Sequence, residues 1–251
     1  MVHIVGAGCG AADLITLRGK RLIEEADVII YAGSLINKDL LSYAKEGCLL
    51  YDSAGMTLEE TSAVIEKAEK DGKTTVRLHS GDPSIYGAIG EQMREMDRLG
   101  VEYDITPGVS SLMGAAAALK TEYTLPDVSQ TVIITRAEGK TPVPEKENLR
   151  SLASHGATMV LFLSAGLLDK VSNDLTAGGY SPDTPAAIVY KALWDDEKVC
   201  RCTLETLEET AKENGVAKTA LIIVGRFLDS DFTRSHLYDP KYPTEFRGKS
   251  E

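Results

Sequence analysis

Two glycine-bearing turns carry the residues best placed to do chemistry: Gly81-Asp82-Pro83-Ser84-Ile85-Tyr86-Gly87 and Thr106-Pro107-Gly108-Val109-Ser110-Ser111. Each ends a β-branched run, Thr74–Leu78 or Val101–Ile105, and each opens into a helix-like stretch. Ligands of open α/β sheets lie beyond the carboxyl ends of the strands, so the two turns describe the rim of a small-molecule pocket. Gly81 and Gly87 let backbone approach a ligand closely, and Asp82 offers a carboxylate for hydroxyls or an ammonium. Two ordinary strand-to-helix turns are the alternative. A third loop, Gly6-Ala7-Gly8-Cys9-Gly10-Ala11, fits the G-x-G-x-x-A form of the dinucleotide fingerprint. That fingerprint needs an acid at the end of the second strand to hold a ribose. Here Val28–Tyr31 runs into Ala32-Gly33-Ser34, and Asp27 precedes the strand at its wrong end, which argues against a nicotinamide cofactor. Asp52, Ser53, Gly55 and Met56 follow the third strand and face the same rim; a turn or cap role is the alternative for Asp52. Arg136, Lys140, Lys191 and Arg226 are cations that a polycarboxylate would recruit, arginine as a bidentate fork. Solvated surface charge is the alternative for each. No Ser-His-Asp, Cys-His or paired-carboxylate spacing is present, which favours chemistry carried by a bound cofactor.

The elements that must position these residues alternate regularly in the first half. Strands are expected at Val2–Val5, Val28–Tyr31 and Cys48–Tyr51, ahead of the two that feed the turns. A helix is expected from Asp13, as N-cap, to Glu25. Thr57-Leu58-Glu59-Glu60 has capping-box spacing and starts another, to Lys70; the Ala-rich Val109–Leu119 is a third. Strands alternating with helices predict a parallel sheet covered on both faces. Thr121–Ser129 reads as a linker. Beyond it come a strand at Thr131–Thr135, the loop Arg136–Pro144, a helix at Glu145–Ser154, and an apolar strand at Thr158–Leu163, whose Leu161, Phe162 and Leu163 read as core. Ala186–Tyr190 and Lys198–Thr203 read as strands joined by a hairpin-like turn at Trp194–Glu197; helix Leu204–Asn214 and strand Ala220–Val224 follow. This half is mixed α/β. The expected domains are 1–120 and 121–228, with a polar, aromatic-bearing C-terminal extension at 229–251.

Composition narrows the partners. The 251 residues carry a net charge of −11, which disfavours nucleic acid and anionic membrane. Cysteines 9, 48, 200 and 202 and the four histidines have no metal-site spacing, so no metal is expected. Reduced cysteines, the lack of a signal-peptide pattern and the lack of a long apolar run point to a cytoplasmic protein.

Taken together and in order from Val2 to Leu228, these motifs resemble the tetrapyrrole methyltransferase family. The resemblance implies a two-domain α/β fold, an N-terminal mostly parallel sheet flanked by helices and a C-terminal mixed α/β domain, with S-adenosylmethionine (SAM) bound between them. Tyr31–Ile36, Asp52–Thr57 and above all Thr135–Glu145 are similar to the precorrin-4 C11-methyltransferase branch, especially the form acting on cobalt-precorrin-4 in cobalamin synthesis. Carried over residue by residue, the resemblance assigns SAM contacts to Cys9, Ser80, Gly81, Asp82, Ile85, Ser110, Ser111, Leu163, Ala192, Thr219 and Ala220. Cys9 replaces the usual proline of its loop, and Leu163 stands where relatives often have a methionine over the adenine. The substrate, a polycarboxylate tetrapyrrole, is expected at Arg136, Lys140, Lys191 and Met56, with Asp52 as a proton acceptor. Ala32 and Asp52 depart from the Asp and Lys of the uroporphyrinogen-III branch, which argues against that substrate. Relatives of this kind are homodimers. Methylation of another precorrin carbon, of diphthine or of ribosomal RNA, a doubly wound oxidoreductase, and a non-catalytic binding module are the competing readings.

Overall fold

The computed structural model describes residues 1–229, 231–239, 241–243 and 245, apart from the side chain of Ser34. The expected extension at 229–251 thus falls in part, at 230, 240, 244 and 246–251, outside the described residues. Contacts divide the chain into two compact units, Met1–Ala115 with Lys191–Glu197, and Ala116–Tyr190 with Lys198–Glu251. The segment Lys191–Glu197, expected in the C-terminal domain, packs with the first unit.

The first unit is a five-stranded parallel sheet of β1 (Val2–Gly6), β2 (Val28–Tyr31), β3 (Leu49–Asp52), β4 (Thr75–His79) and β5 (Tyr103–Thr106), in the order β3-β2-β4-β1-β5. Both faces of its central strands are covered, and they are mostly apolar, except that one face of β4 carries the buried Thr75, Arg77 and His79. Val5, Ile23, Ile29, Val76 and Leu78 form one core with α1 (Leu17–Glu25). Ile4, Ile30, Ile65 and Met96 form the other with α2 (Leu58–Lys70) and α3 (Ile89–Leu99). The expected capping box starts α2: Glu60 N donates to Thr57 Oγ1 at 3.2 Å and Thr57 N to Glu60 Oε2 at 2.8 Å. Gly100, at φ +68°, ends α3 in the left-handed conformation that glycine adopts freely.

Two expected helices are divided. Asp13 lies in a 3-10 turn, Ala12–Leu14, and the extended Ile15 stops it; the cap of α1 is Thr16, which accepts from Gly19 N at 3.0 Å. Likewise Asn148 (φ −65°, ψ 152°) interrupts 145–154, leaving a 3-10 turn before it and α5 (Leu149–Ala153) after it. Its side chain accepts from Ser151 N at 2.9 Å, the local bond by which asparagine competes with a continuous helix.

The second unit is a five-stranded mixed sheet of β6 (Val132–Arg136), β7 (Thr158–Phe162), β8 (Pro185–Tyr190), β9 (Lys198–Thr203) and β10 (Ala220–Val224), in the order β6-β7-β10-β8-β9. Only β6 and β7 pair in parallel. Met159, Leu161, Ile188 and Ile222 pack with α5, α6 (Leu168–Ala177) and α7 (Leu207–Glu213). Among the described residues no helix is long and apolar enough to cross a membrane, and no cluster of three or more His, Cys, Asp or Glu could hold a metal.

Candidate functional site

In the first unit the parallel register of β1 with its neighbours β4 and β5 brings the three loops after these strands together. Gly8 and Gly81 exchange backbone hydrogen bonds, Gly81 N to Gly8 O at 2.9 Å and Gly8 N to Gly81 O at 3.2 Å. Gly6, Gly81 and Gly108 form a bare backbone junction. A Cβ on Gly108 would lie 2.2 Å from Gly81 O and 2.8 Å from Gly6 Cα; one on Gly6 would lie 2.6 Å from Gly108 Cα. Such separations are closer than van der Waals contact allows, so these positions admit only glycine with the loops as placed.

Asp82 staples two of the loops. Its Oδ2 accepts from Gly108 N at 2.8 Å, and its Oδ1 accepts from Ser84 N at 2.9 Å and from the Ser84 hydroxyl. Burial works to raise its pKa, but these bonds outweigh it and hold the carboxyl below its ordinary value. The role open to Asp82 from sequence, gripping a ligand, therefore competes with a fixing role within the protein. Ser110 O accepts from Met113 N at 2.9 Å and starts α4 (Ser111–Leu119), whose Ser111 N would lie 3.4 Å from a Cβ on Gly81. A Cβ on Gly114 of α4 would lie 2.8 Å from Cys9 Sγ, and one on Gly10 2.4 Å from Ala192 O. Cys9 is buried, and burial raises its thiol pKa. Cys9, Ser80–Asp82, Ser110–Ser111 and Ala192 are thus assembled in one loop cluster, and Ile85 N bonds back to Asp82 O at 3.3 Å.

Behind this cluster lies a buried polar pair that sequence reading missed. Arg77 Nε donates to Gln92 Oε1 at 3.0 Å and its Nη1 to Ile30 O at 3.1 Å, while Gln92 Nε2 holds Ala88 O at 3.1 Å. Ala88 and Tyr86 both have positive φ (50° and 54°), so this chain of bonds fixes a strained end of the 82–88 loop. His79 is 4% exposed and its Nε2 has no hydrogen-bond partner. Burial first, and then the Arg77 charge, push its pKa down to about 3.

In the second unit, Leu163, Thr219 and Ala220 lie along one end of the sheet. Ala220 opens β10 and pairs with Tyr190, Thr219 precedes it, and Leu163 follows the end of β7, the antiparallel neighbour of β10. Leu163 is no core strand residue: β7 ends at Phe162, and Leu163 turns to φ +53° and is 70% exposed. Thr219 has φ +56°, an outlier for a β-branched side chain and a strain of roughly 1–3 kcal/mol. Strain of this kind collects at ligand sites.

The expected substrate cations are differently employed. Arg136 donates to Ala137 O (3.3 Å), Thr141 O (3.2 Å) and Pro142 O (2.6 Å). The fork expected for a substrate carboxylate is thereby engaged in closing its own loop. Lys191 pairs with Asp196 at 2.6 Å and lies 5.6 Å from the Trp194 ring centroid. Arg226 pairs with Asp183 at 3.0 Å. Lys140 is exposed. Asp52, at the end of the edge strand β3, caps a 3-10 turn by accepting from Ala54 N at 2.9 Å. The half-buried Met56 follows that turn. β2 and β4 separate this pair from the glycine junction, a span of roughly 10 Å or more at the ordinary strand spacing.

The model of the family Tetrapyrrole (Corrin/Porphyrin) Methylases matches residues 1–208. The chain belongs to this family. A cobalt-precorrin-4 C(11)-methyltransferase of Methanocaldococcus jannaschii is 56% identical to this tetrapyrrole methylase over 98% of the chain and 95% of the relative. The X-ray structure of a cobalamin biosynthetic enzyme, cobalt precorrin-4 methyltransferase, superposes with a TM-score of 0.89 at 48% identity, covering 91% of this chain and 96% of that one. Uroporphyrin-III C-methyl transferase from Thermus thermophilus, solved as a complex with S-adenosylhomocysteine, has a TM-score of 0.76 at 27% identity, covering 91% of this methylase and 93% of its own chain.

Proposed function

We propose that this tetrapyrrole methylase transfers a methyl group from SAM to C11 of precorrin-4, in its cobalt-bearing form, during assembly of the corrin ring. The observation that carries the reading is the 56% identity, over 98% of the chain, to the Methanocaldococcus jannaschii C(11)-methyltransferase. The loop cluster fits SAM on two grounds of its own. Bare backbone at Gly6, Gly81 and Gly108 lets the three strand-end loops close directly on one another, which gathers their peptide groups at one edge of the sheet. The amino end of α4 lies against Gly81, where a helix terminus favours a carboxylate such as that of an amino-acid moiety.

SAM, when bound, supplies an electrophilic methyl on a sulfonium sulfur. The protein's work is then binding and orientation. Backbone around Cys9, Ser80–Asp82, Ile85, Ser110–Ser111 and Ala192 is the candidate cofactor holder of the first unit; for Leu163, Thr219 and Ala220 a cofactor contact is supported by family resemblance. Asp82 acts through the loops it staples. Asp52 is the candidate acceptor of the ring proton released on methylation; its cap bond uses Oδ1. Lys140 is the candidate partner for an acetate or propionate arm, Met56 gives the rim beside Asp52 an apolar contact, and Lys191 joins only by exchanging its bond to Asp196. A homodimer in the cytoplasm completes the reading, supported by family resemblance.

Incubation with 13C-methyl-labelled SAM and cobalt-precorrin-4, followed by NMR of the product, tests this. A new methyl on C11 is expected; label on another carbon, or none incorporated, overturns the assignment. Asp82→Asn is expected to weaken SAM binding about tenfold in calorimetry, because its amide meets a backbone N–H on one side with a donor instead of an acceptor. Unchanged affinity removes Asp82 from the site.

A further inference from the structure

The ladder between β6 and β7 ends at Arg136↔Phe162. Beyond it the two chains would part, yet one side chain joins them. Ser164, fully buried, accepts from Ala137 N through its Oγ at 2.8 Å and donates from the same hydroxyl to Phe162 O at 2.7 Å. Its carbonyl accepts from Leu167 N at 2.9 Å. The hydroxyl stands in for the next rung of the sheet and ties together the start of the 137–144 loop and the turn that carries Leu163.

Both tied segments are held in unusual states. On one side the loop is closed by the Arg136 guanidinium on the carbonyls of Ala137, Thr141 and Pro142, with Lys140 on its exposed outer side. On the other side Leu163 presents a large apolar side chain outward at positive φ, a conformation that persists only where its surroundings over-determine it. Ser164 is the residue next to Leu163 and the hydrogen-bond partner of the residue next to Arg136.

The geometry points to Ser164 as a positioning residue that sets the tetrapyrrole-facing loop and the cofactor-facing Leu163 as one unit, so that affinity for the two reactants is coupled through a single hydroxyl. Arg136 is its companion on the loop side only. This rests on the methyltransferase reading above and adds to it which residue links the substrate and cofactor contacts proposed within the second unit.

The test uses the full chain and measures SAM affinity by calorimetry, and tetrapyrrole KM and kcat by methyl transfer. Ser164→Ala is expected to raise both the SAM Kd and the tetrapyrrole KM, each about tenfold, the effect of one lost buried hydrogen bond. Arg136→Ala is expected to raise the tetrapyrrole KM alone. In the double variant the two KM effects are expected to fall short of additivity, as they do for residues acting on one network. Ser164→Cys, nearly isosteric with a weaker acceptor, carries the same test with a smaller joint loss if the alanine variant does not fold. The inference is overturned if Ser164→Ala or Ser164→Cys changes only one of the two constants, or lowers Tm while leaving both at the wild-type values, or if the KM effects add fully. Failure of the wild-type chain to bind SAM would instead remove the reading on which it stands.

Discussion

Gly108→Ala is expected to abolish SAM binding and to lower the melting temperature by several degrees. The added methyl would sit 2.2 Å from Gly81 O and 2.8 Å from Gly6 Cα, both backbone atoms. No rotamer change can relieve a backbone contact, and Gly81 is anchored on its far side by the paired bonds to Gly8. The Asp82 staple onto Gly108 N would have to lengthen as well. Overpacking of this kind costs about 1–3 kcal/mol in stability. The loss in SAM affinity should be larger, at least about 100-fold, because the displaced loops are those proposed to hold the cofactor and small misplacements in a binding site are felt strongly. The control is Gly90→Ala, in the first turn of α3, where a Cβ meets nothing within 4 Å. Its helix propensity should leave it as stable as wild type or slightly more so. Calorimetry and thermal melts on both variants decide the matter; a Gly108→Ala protein that binds SAM normally removes the junction from the cofactor site.

The second large effect is acid lability governed by His79. In the unfolded chain its pKa is the ordinary 6.5; in the folded chain it is about 3. Above pH 6.5 the imidazole is neutral in both states and contributes nothing. As pH falls below that point the unfolded state takes up a proton that the folded state refuses, so stability declines through the window down to about pH 3. At pH 5 the loss from this one group is about 2 kcal/mol. Asp82 and Asp27 have depressed folded pKa values, so their contributions are present above their unfolded values and are lost only in stronger acid. The interval from pH 6.5 to 5 therefore isolates the histidine. His79→Leu removes a ring whose Nε2 has no partner and should flatten the fall in urea stability across that interval. The same slope in wild type and variant would show that the proton goes elsewhere.

Much of the first sheet is legible in sequence because β1 and β2 are short, largely buried runs rich in valine and isoleucine, and the Thr57–Glu60 cap is a purely local bond. The three loops of the cluster are legible as loops for the same reason: a strand end followed by glycine is a local pattern. What joins them is not. Nothing in sequence sets Gly6 against Gly108, or Gly10 against Ala192, because those contacts arise from strand order, which puts β1 between β4 and β5. Arg136 is legible as a cation in a loop after a strand, but its bonds go to three carbonyls that converge on it only when the loop is closed. Ser164, Arg77 and His79 carry no signal, since a serine after an apolar strand and two polar residues within one read as ordinary. The α6 helix was legible in principle from Leu168, Val171 and Leu175, all buried on one stripe.

The return of Lys191–Glu197 to the first unit has a consequence for biosynthesis. The flank of Gly10 is completed by Ala192 and Leu193, which emerge from the ribosome only after most of the second sheet has been made. At about 5–20 residues per second, the nascent amino-terminal half waits several seconds or more with that seam open. Neither half can be excised at one peptide bond without leaving this seam uncovered, so a circularly permuted or split version should keep the 191–197 segment covalently near its glycine partner.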